Sequence, residues 1–423
     1  MREMKDSGVE WIGEIPVDWK LSKIKHHFSI SSGTTPKSDE PEYWDGDIVW
    51  ITPADFKTDD VFVSKGHRNL SLEGYMVSSL QLVPAGNIIF SKRAPIGQVV
   101  INAIDLCTNQ GCLTVVLNDD SDVRFYRYVM SIATEEFELA GSGTTFKEIS
   151  ATSFGNILLP LTSKQEQTKC ADYLDIKCSK IDEIIEKQQA IIEKLKEYKL
   201  SIITEAVTSG INPDVEMKDS GSVWFGSIPT NWEMKRLKYV FHIQKDIAGE
   251  EGHTVLSITQ KGIIPKDFSN NEGQFANSYA NYQLVHKGDF AMNHMDLLTG
   301  WVDISKYEGV TSPDYRVFVL NDKNGMCPEY YLYMMQMCYS ARIFYGLGQG
   351  VSGMGRWRLQ ADKFLNFHIP IPPYDEQKII ADYITDKVNH IEVEIDKRNK
   401  LVEKYQEYKK SLIYEVVTGK KEV

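Results

Sequence analysis

Residues 4–28 read MKDSGVEWIGEIPVDWKLSKIKHHF, and residues 217–241 read MKDSGSVWFGSIPTNWEMKRLKYVF. The two stretches are identical at 12 of 25 positions, and the matches include Trp11 with Trp224 and Trp19 with Trp232. Only eight of the 423 residues are tryptophan. Two matched tryptophans in one window therefore indicate an internal duplication rather than chance.

A second pair of stretches supports the duplication. Pro160–Ser209 aligns with Pro370–Gly419 at a constant offset of 210 and without a gap. Between the two matched blocks the similarity is weaker and the offset changes. Because a solenoid needs at least three repeats, two copies predict a tandem pair of related domains, each followed by a related helix.

The predicted boundaries follow from these blocks. We expect globular domains at residues 1–162 and 211–372, and helical spacers at residues 163–210 and 373–423. In the globular parts, short β-rich runs alternate with Gly, Asn, Asp and Pro, and residues 125–139 and 328–345 read as helices. The fold class is therefore predicted as mixed α/β (α+β), with two duplicated domains.

The spacers carry a heptad pattern, in which mostly apolar residues recur at alternating steps of four and three. Its members are Leu174, Cys178, Ile181, Ile185, Gln188, Ile192, Leu195, Lys199 and Ile202, and then Ile384, Val388, Ile391, Ile395, Arg398, Val402, Tyr405, Lys409 and Leu412. Ser163 and Asp375 are candidate N-terminal caps, and Gly210 and Gly419 are candidate stops. Since each helix follows its own domain, we predict an antiparallel coiled coil.

A second apolar set lies beside the heptad positions and widens the apolar face of each helix. It consists of Ile184, Ile191 and Tyr198 in the first helix, and Leu401 and Tyr408 in the second. This set predicts contact with a partner other than the sister helix.

Composition excludes several protein classes. No run approaches the ~20 apolar residues of a membrane span, and no secretory signal is visible, so a cytoplasmic protein is expected. None of the six cysteines forms a CxxC pair, which favours free thiols over a zinc site or disulfides. The net charge of −12 argues weakly against nucleic acid, and neither residues 1–162 (14 basic, 22 acidic) nor 211–372 (15 basic, 17 acidic) is basic.

A search for catalytic motifs gives little. The glycine-rich residues 346–355 lack the Lys-Ser/Thr spacing of a phosphate-binding loop. Pro372-Pro373-Tyr374 is preceded by Ile371, not by the Asn or Asp of an adenine methyltransferase motif. The sequence shows no cluster of residues with the spacing of metal ligands or of nuclease carboxylates, so no catalytic residue is predicted.

What remains is a set of polar and cationic loop residues at matching places in the two halves. Such side chains can hydrogen-bond base edges or fix phosphates. The candidate DNA-binding residues are Ser32, Thr34, Thr35, Lys37, Lys92, Arg93, Thr144, Thr145, Lys147, Gln260, Lys261, Asn293, His294, Arg316, Arg356 and Arg358. For any single one of them, a solvated loop is the simpler interpretation.

The sequence resembles the specificity (S) subunit of type I restriction–modification systems, over essentially its whole length. The resemblance is carried by Glu10–Pro16 with Trp19, Ser32–Pro36, Tyr43–Ile48, Trp50–Thr52, Arg93–Gly97, Asn109–Gly111 and the proline-to-Glu-Gln junctions before each helix. The second half departs from the first in its middle, where Asn293-His294-Met295 stands in place of Ser91-Lys92-Arg93.

The resemblance implies a non-enzymatic subunit whose two target recognition domains each read one half of a bipartite sequence in double-stranded DNA. The helices would set the spacer and bind two modification (methyltransferase) subunits. S-adenosylmethionine, ATP and Mg would belong to those and to the restriction (translocase/nuclease) subunits, with no cofactor or metal on this chain. A coiled-coil scaffold and a fused methyltransferase or nuclease are the alternatives.

Overall fold

The structure described here is a computed structural model. The residues it describes are 2–57, 60–143, 147–268, 276–350 and 357–423. The chain forms two compact units, one of Met1–Gln188 with Lys400–Val423 and one of Gln189–Asn399. Each unit thus contains one globular domain and parts of both long helices. The four segments predicted from the sequence divide the chain at the helix ends instead, and they stay a prediction.

The first unit is built on a five-stranded sheet of order β4-β11-β8-β9-β6, in which only the β6–β9 pair is parallel. A three-stranded sheet of order β10-β5-β7 accompanies it. The strands are β1 (Met4–Asp6), β2 (Glu14–Pro16), β3 (Lys20–Lys23), β4 (Ser29–Ser32), β5 (Trp44–Ile51), β6 (Phe62–Val63), β7 (Arg68–Leu70), β8 (Ile88–Ser91), β9 (Val99–Asn102), β10 (Cys107–Thr108), β11 (Cys112–Val116) and β12 (Leu158–Leu161).

The helices of this part of the chain contact different sheets: residues 123–132 and 151–155 pack against the larger sheet, and residues 72–77 pack against the smaller one. The helices are α1 (Ile24–His27), α2 (Leu72–Val77), α3 (Val123–Ile132), α4 (Thr134–Ala140), α5 (Ala151–Gly155) and the long α6 (Lys164–Ser209). The predicted helix over residues 125–139 is two helices, broken at Ala133. In this arrangement Phe137 of α4 packs on Phe90 and Phe154, with ring centroids 4.7 and 5.2 Å away.

The second unit has a four-stranded antiparallel sheet of order β16-β23-β20-β21 and several strand pairs. The strands are β13 (Met217–Asp219), β14 (Ser227–Pro229), β15 (Glu233–Arg236), β16 (Phe241–Gln244), β17 (Leu256–Thr259), β18 (Gly262–Pro265), β19 (Gln283–Val285), β20 (Phe290–Met292), β21 (Val302–Ile304), β22 (Gly309–Thr311), β23 (Arg316–Leu320), β24 (Gln349–Gly350), β25 (Trp357–Arg358) and β26 (His368–Ile371). Its β16, β23, β20 and β21 occupy the places of β4, β11, β8 and β9.

The remaining helices repeat the pattern of the first half. They are α7 (Pro328–Ser340), α8 (Ile343–Leu347), α9 (Ala361–Asn366) and the long α10 (Tyr374–Val417). The predicted helix over residues 328–345 is again two helices. Arg342 sits at the break with a left-handed φ of 57°.

The repeated tryptophan motif folds as the same hairpin in both units, β1–β2 and β13–β14. Trp19 and Trp232 behind it are 1% and 0% exposed. In each unit the hairpin receives the end of a long helix. The Tyr414 hydroxyl donates to the Ile12 carbonyl over 2.9 Å in the first unit, and Gly210 packs beside Trp232 in the second.

The long helices pair antiparallel within each unit, as predicted. The first unit joins the start of α6 to the end of α10, with Cys170, Leu174 and Ile181 in one core with Leu412 and Val416. The second unit joins the end of α6 to the start of α10 through Ile192 and Ile202 with Ile391 and Ile395.

The two lysines of the heptad pattern form ion pairs with acidic residues of the other long helix. Lys409 bonds Asp182 at 2.6 Å in the first unit, and Lys199 bonds Glu392 at 2.6 Å in the second. The two ion pairs are copies of each other at the offset of 210. The two lysines of the heptad are therefore satisfied by the pairing itself, whereas Arg398 pairs with Glu394 of its own helix.

The helix ends agree with the sequence in three places of four. Ser163 accepts a hydrogen bond from the Glu166 amide at 3.3 Å, and Gly210 and Gly419 adopt left-handed φ of 77° and 72°. The prediction of Asp375 as a cap is wrong, because the helix already begins at Tyr374 and Asp375 lies in its first turn.

Candidate nucleic-acid interface

The loop that follows β4 is hydrogen-bonded to the indoles of two tryptophans. The indole of Trp50 donates to the Thr34 carbonyl, and that of Trp44 donates to the Lys37 carbonyl, both over 3.1 Å. The two indoles are packed edge to face at 5.0 Å. A buried aromatic platform therefore fixes the loop backbone.

The side chains of this loop face outward. Ser32, Thr34 and Lys37 are exposed, and the Lys37 ammonium lies 3.9 Å from the Glu40 carboxylate in a weak surface pair. The half-buried Thr35 donates its hydroxyl to the side-chain oxygen of Gln110. The structure thus presents hydroxyls and one cation on a held backbone, which is an arrangement suited to contacting phosphates and base edges.

Gly33 allows the backbone of this loop to lie against β10. A Cβ at this position would stand 1.9 Å from the Thr108 carbonyl oxygen, so the backbone of the loop can approach β10 only through a glycine.

We expect Gly33→Ala to displace the loop and to destabilise the first unit by about 1–3 kcal/mol, because a rigid backbone oxygen must move. Thermal unfolding followed by tryptophan fluorescence measures this, since the loop carbonyls bond two indoles. Thr34→Ala, one residue away and exposed, is the control with no expected shift. Equal melting curves for the two variants would contradict the account.

The two cations after β8 are held by one carboxylate. Glu148 accepts from Lys92 at 3.0 Å and from Arg93 at 2.7 Å. Although partial burial opposes the shift, the hydrogen bonds from Arg93 and Lys92 lower the pKa of the Glu148 carboxyl. The Lys92 side chain is only 12% exposed, whereas that of Arg93 is 47% exposed, and the single carboxylate compensates one of the two positive charges.

Three predicted residues lie outside the described part of the chain: Thr144, Thr145 and Arg356. Lys147, which follows the first two, is exposed.

In the second unit, the matching place after β20 is cationic and partly buried. His294 and Arg316 are each 5% exposed, while Arg358 is exposed. Arg316 donates to the Leu359 carbonyl over 2.9 Å, and its guanidinium lies 5.0 Å from the Phe364 ring. The half-buried Asn293 accepts from the Tyr339 hydroxyl through its backbone carbonyl.

Burial and like charge shift the pKa values of this group. Burial lowers the pKa of Arg316 to about 10, with Tyr339 opposing and Arg358 adding to the shift. Burial and the charges of Arg316 and Arg358 lower the pKa of His294 to about 3. At neutral pH, Arg316 is therefore charged and His294 is neutral.

Gln260 and Lys261 form the turn between β17 and β18 and are both exposed. The Lys261 amide bonds the Thr259 hydroxyl over 3.1 Å, and Gly262 follows with a left-handed φ of 106°. This turn presents an amide and a cation at a hairpin tip.

The predicted partner-binding residues differ in exposure. Tyr198, Leu401 and Tyr408 are 57%, 38% and 53% exposed, whereas Ile184 and Ile191 are half-buried. Sequence reasoning missed other exposed apolar residues on the same helices, among them Ile176, Ile379 and Val393. It also missed Arg68, whose guanidinium stacks 3.9 Å above Trp44 beside the first-unit loop.

Other structural features bear on chemistry. All six cysteines are buried free thiols. Across the described ranges, no group of three or more His, Cys, Asp or Glu side chains is placed to hold a metal ion. No helix in that part of the chain has an apolar stretch long enough to cross a bilayer.

The chain matches the model of the type I restriction modification DNA specificity domain twice, at residues 16–202 and 229–404. The MjaIX type I restriction enzyme specificity subunit of Methanocaldococcus jannaschii is 32% identical over 55% of this chain and 54% of its own length. The MjaVIII specificity subunit of the same organism is 23% identical over 96% of this chain and 93% of its own. The chain thus spans about half the length of the first relative and nearly all of the second.

Solved structures share the fold. A chain from a study of complex assembly and conformational transition of the type I R-M system superposes with a TM-score of 0.69, at 12% identity, over 95% of this chain and 98% of its own. The HsdS subunit from Thermoanaerobacter tengcongensis gives a TM-score of 0.50, at 12% identity, over 96% and 98%. At such identities the likeness establishes the fold.

Proposed function

This chain belongs to the type I restriction–modification DNA specificity family, and from that membership we propose that it recognises a bipartite sequence in double-stranded DNA. Each unit reads one half of the target. The observation that carries the proposal is the double match of the specificity domain, once to each half of a duplicated chain whose halves differ at their loops.

The loops supply the reading surface in this proposal. In the first unit it comprises Ser32, Thr34, Thr35 and Lys37 on their tryptophan platform, with Lys147. In the second it comprises the Gln260–Lys261 turn and the Arg316–Arg358 pair. Because the loops of the two units carry different side chains at matching places, the half-sites should differ in sequence.

The helices have two roles in the proposal. They set the number of unread base pairs between the half-sites, and their exposed apolar residues bind two modification subunits. Restriction subunits complete the complex. S-adenosylmethionine, ATP and Mg belong to those partners, and this chain contributes recognition without catalysis.

The test uses the chain expressed with its modification subunits in a host, followed by sequencing of the methylated adenines. The expected result is one bipartite motif with an unread spacer of fixed length. A contiguous motif, or methylation by the chain without partners, would overturn the proposal. The latter result would revive a fused methyltransferase, and absence of any DNA footprint from the complete complex would revive a scaffold.

The partner surface is tested at Tyr198. Because this side chain is exposed in the second unit, Tyr198→Glu should leave the helix pair folded while placing a charge in the proposed contact. We expect capture of the modification subunit to weaken about tenfold or more, since a buried interface aromatic is worth roughly 2 kcal/mol or more. Quantitative co-purification measures the effect.

Gln189→Glu is the matched control for that variant. It adds the same charge nine residues away, which is the opposite side of a helix with 3.6 residues per turn. Gln189 is also exposed. Equal capture by both variants would remove Tyr198 from the partner surface.

A further inference from the structure

One structurally equivalent position carries cations paired with a carboxylate in the first unit and, among the described residues, arginines without a carboxylate partner in the second. In the first unit the Ile149 amide donates to the Lys92 carbonyl over 3.0 Å. In the second the Leu359 amide donates to the His294 carbonyl over 3.0 Å. Because these two hydrogen bonds correspond, Lys92 and His294 occupy equivalent positions. Glu148 precedes the donor in the first unit and Arg358 precedes it in the second, so these two residues are equivalent as well.

The positive charge at this position is partly compensated only in the first unit. There, Glu148 binds both Lys92 and Arg93. In the second unit an arginine replaces that acid, and a further arginine, Arg316, is buried beside it. Within the described residues, neither Arg316 nor Arg358 forms an ion pair with a carboxylate.

Two buried nitrogens at this position also lack a partner. One amino group of Arg316 and the Nδ1 atom of His294 make no hydrogen bond in the described part of the chain. The nearby carboxylate of Asp296 is already engaged by the Thr299 hydroxyl and by the Leu298 and Thr299 amides. A buried guanidinium without a counter-charge is costly, and an anionic or acceptor ligand offsets that cost.

We infer that the exposed Arg358, with the buried Arg316 and His294 beside it, forms a binding site in the second unit for acceptor atoms of DNA, either phosphate oxygens or the major-groove edge of guanine. In the first unit, Glu148 occupies the equivalent position and forms ion pairs with the cations there. The inference rests on the proposed function and assigns to the second unit an arginine contact that the first does not make. Both ligand sources share the same chemistry, because arginine donates in the same way to phosphate oxygens and to guanine O6 and N7.

The experiment uses the whole complex with its modification subunits and a duplex that carries its target. Affinity is measured over a series of salt concentrations for wild type, Arg358→Gln and Arg316→Lys. Arg358 is exposed, so its variant should not threaten folding. Lys363→Gln, which removes another exposed cation of the second unit, is the matched control.

The two ligand sources give different results. If the site binds a phosphate, Arg358→Gln should weaken binding to all sequences alike and reduce the salt slope by about one. If it binds guanine, discrimination at one base pair of one half-site should fall about tenfold or more, with less change in slope. In either case Glu148→Gln should strengthen binding and steepen the salt dependence, because it releases two cations.

Arg358→Gln and Arg316→Lys complexes that match the Lys363→Gln control in affinity, slope and specificity would overturn this inference while leaving the proposed function intact. A wild-type complex that binds no bipartite duplex would overturn the proposed function instead.

Discussion

Exchange of residues 237–367 for the corresponding segment of a relative is expected to replace one half of the methylated DNA sequence and to leave the other half unchanged. Both ends of the segment adjoin an antiparallel strand pair. β15 ends at Arg236, which lies opposite His368, the first residue of β26. Adjacent strands of this kind place the two junctions side by side, so a foreign domain can be inserted without stretching the chain.

The exchange keeps a hydrogen bond that joins the domain to its helix. The Trp232 indole donates to the Glu376 carboxylate over 3.0 Å, and both residues lie outside the exchanged segment. The bonds from Cys327, Tyr330 and Tyr333 to the long helices start inside the exchanged segment, so the relative must supply their equivalents.

The reciprocal control exchanges residues 24–157 in the first unit, where β3 and β12 pair with Lys23 opposite Leu158. That variant should change the other half-site only.

Sequencing of methylated adenines in cells that express each chimera with the modification subunits gives the readout. A change in both halves of the motif from a single exchange would show that the units do not read independently. A motif unchanged by both exchanges would place recognition outside these segments.

Lengthening both helices by one heptad is expected to add about three base pairs to the unread spacer. Seven helical residues rise about 10 Å, and duplex DNA advances about 34 Å per turn of 10 to 10.5 base pairs. Insertion of whole heptads keeps the apolar positions in phase along each helix.

The structure fixes where the two insertions belong. In the register set by the Lys199–Glu392 pair, Lys194 of α6 lies opposite residue 397 of α10. The first heptad therefore follows Lys194 and the second follows Asp396. Insertion of four residues at both points, which puts the heptad out of phase, is the control and should abolish specific methylation.

Both half-sites should keep their bases in the heptad variant, with only the spacer longer. An unchanged spacer in an active, folded complex would mean that the helices do not set the distance, and that part of the proposal would be withdrawn.

Much of the architecture followed from the sequence because its signals are local or repeated. The tryptophan-containing stretch appears twice and folds as the same hairpin twice. The heptad pattern depends only on helical periodicity, so it predicted the buried residues of α6 and α10, and its two lysines found acids on the facing helix. Gly210 and Gly419 marked helix ends because a left-handed residue is easiest for glycine.

The candidate site was less accessible to sequence reasoning, because its chemistry depends on residues far apart in the chain. Lys92 and Arg93 read as free cations, yet Glu148 lies 55 residues beyond Arg93 and forms an ion pair with each of them. Arg316 read as a surface cation, yet it is buried on β23 and bonds the carbonyl of Leu359, 43 residues away. No local pattern encodes such pairings.

The duplication and the helical pairing surfaces were thus determined by the sequence alone, since repetition and periodicity can be read without a fold. The tertiary structure decided which charges are available to a ligand, because compensation requires two side chains to meet in space. It also decided that α3 and α7 stop short of their predicted ends, where Phe137 of α4 and Phe344 of α8 are buried in the cores.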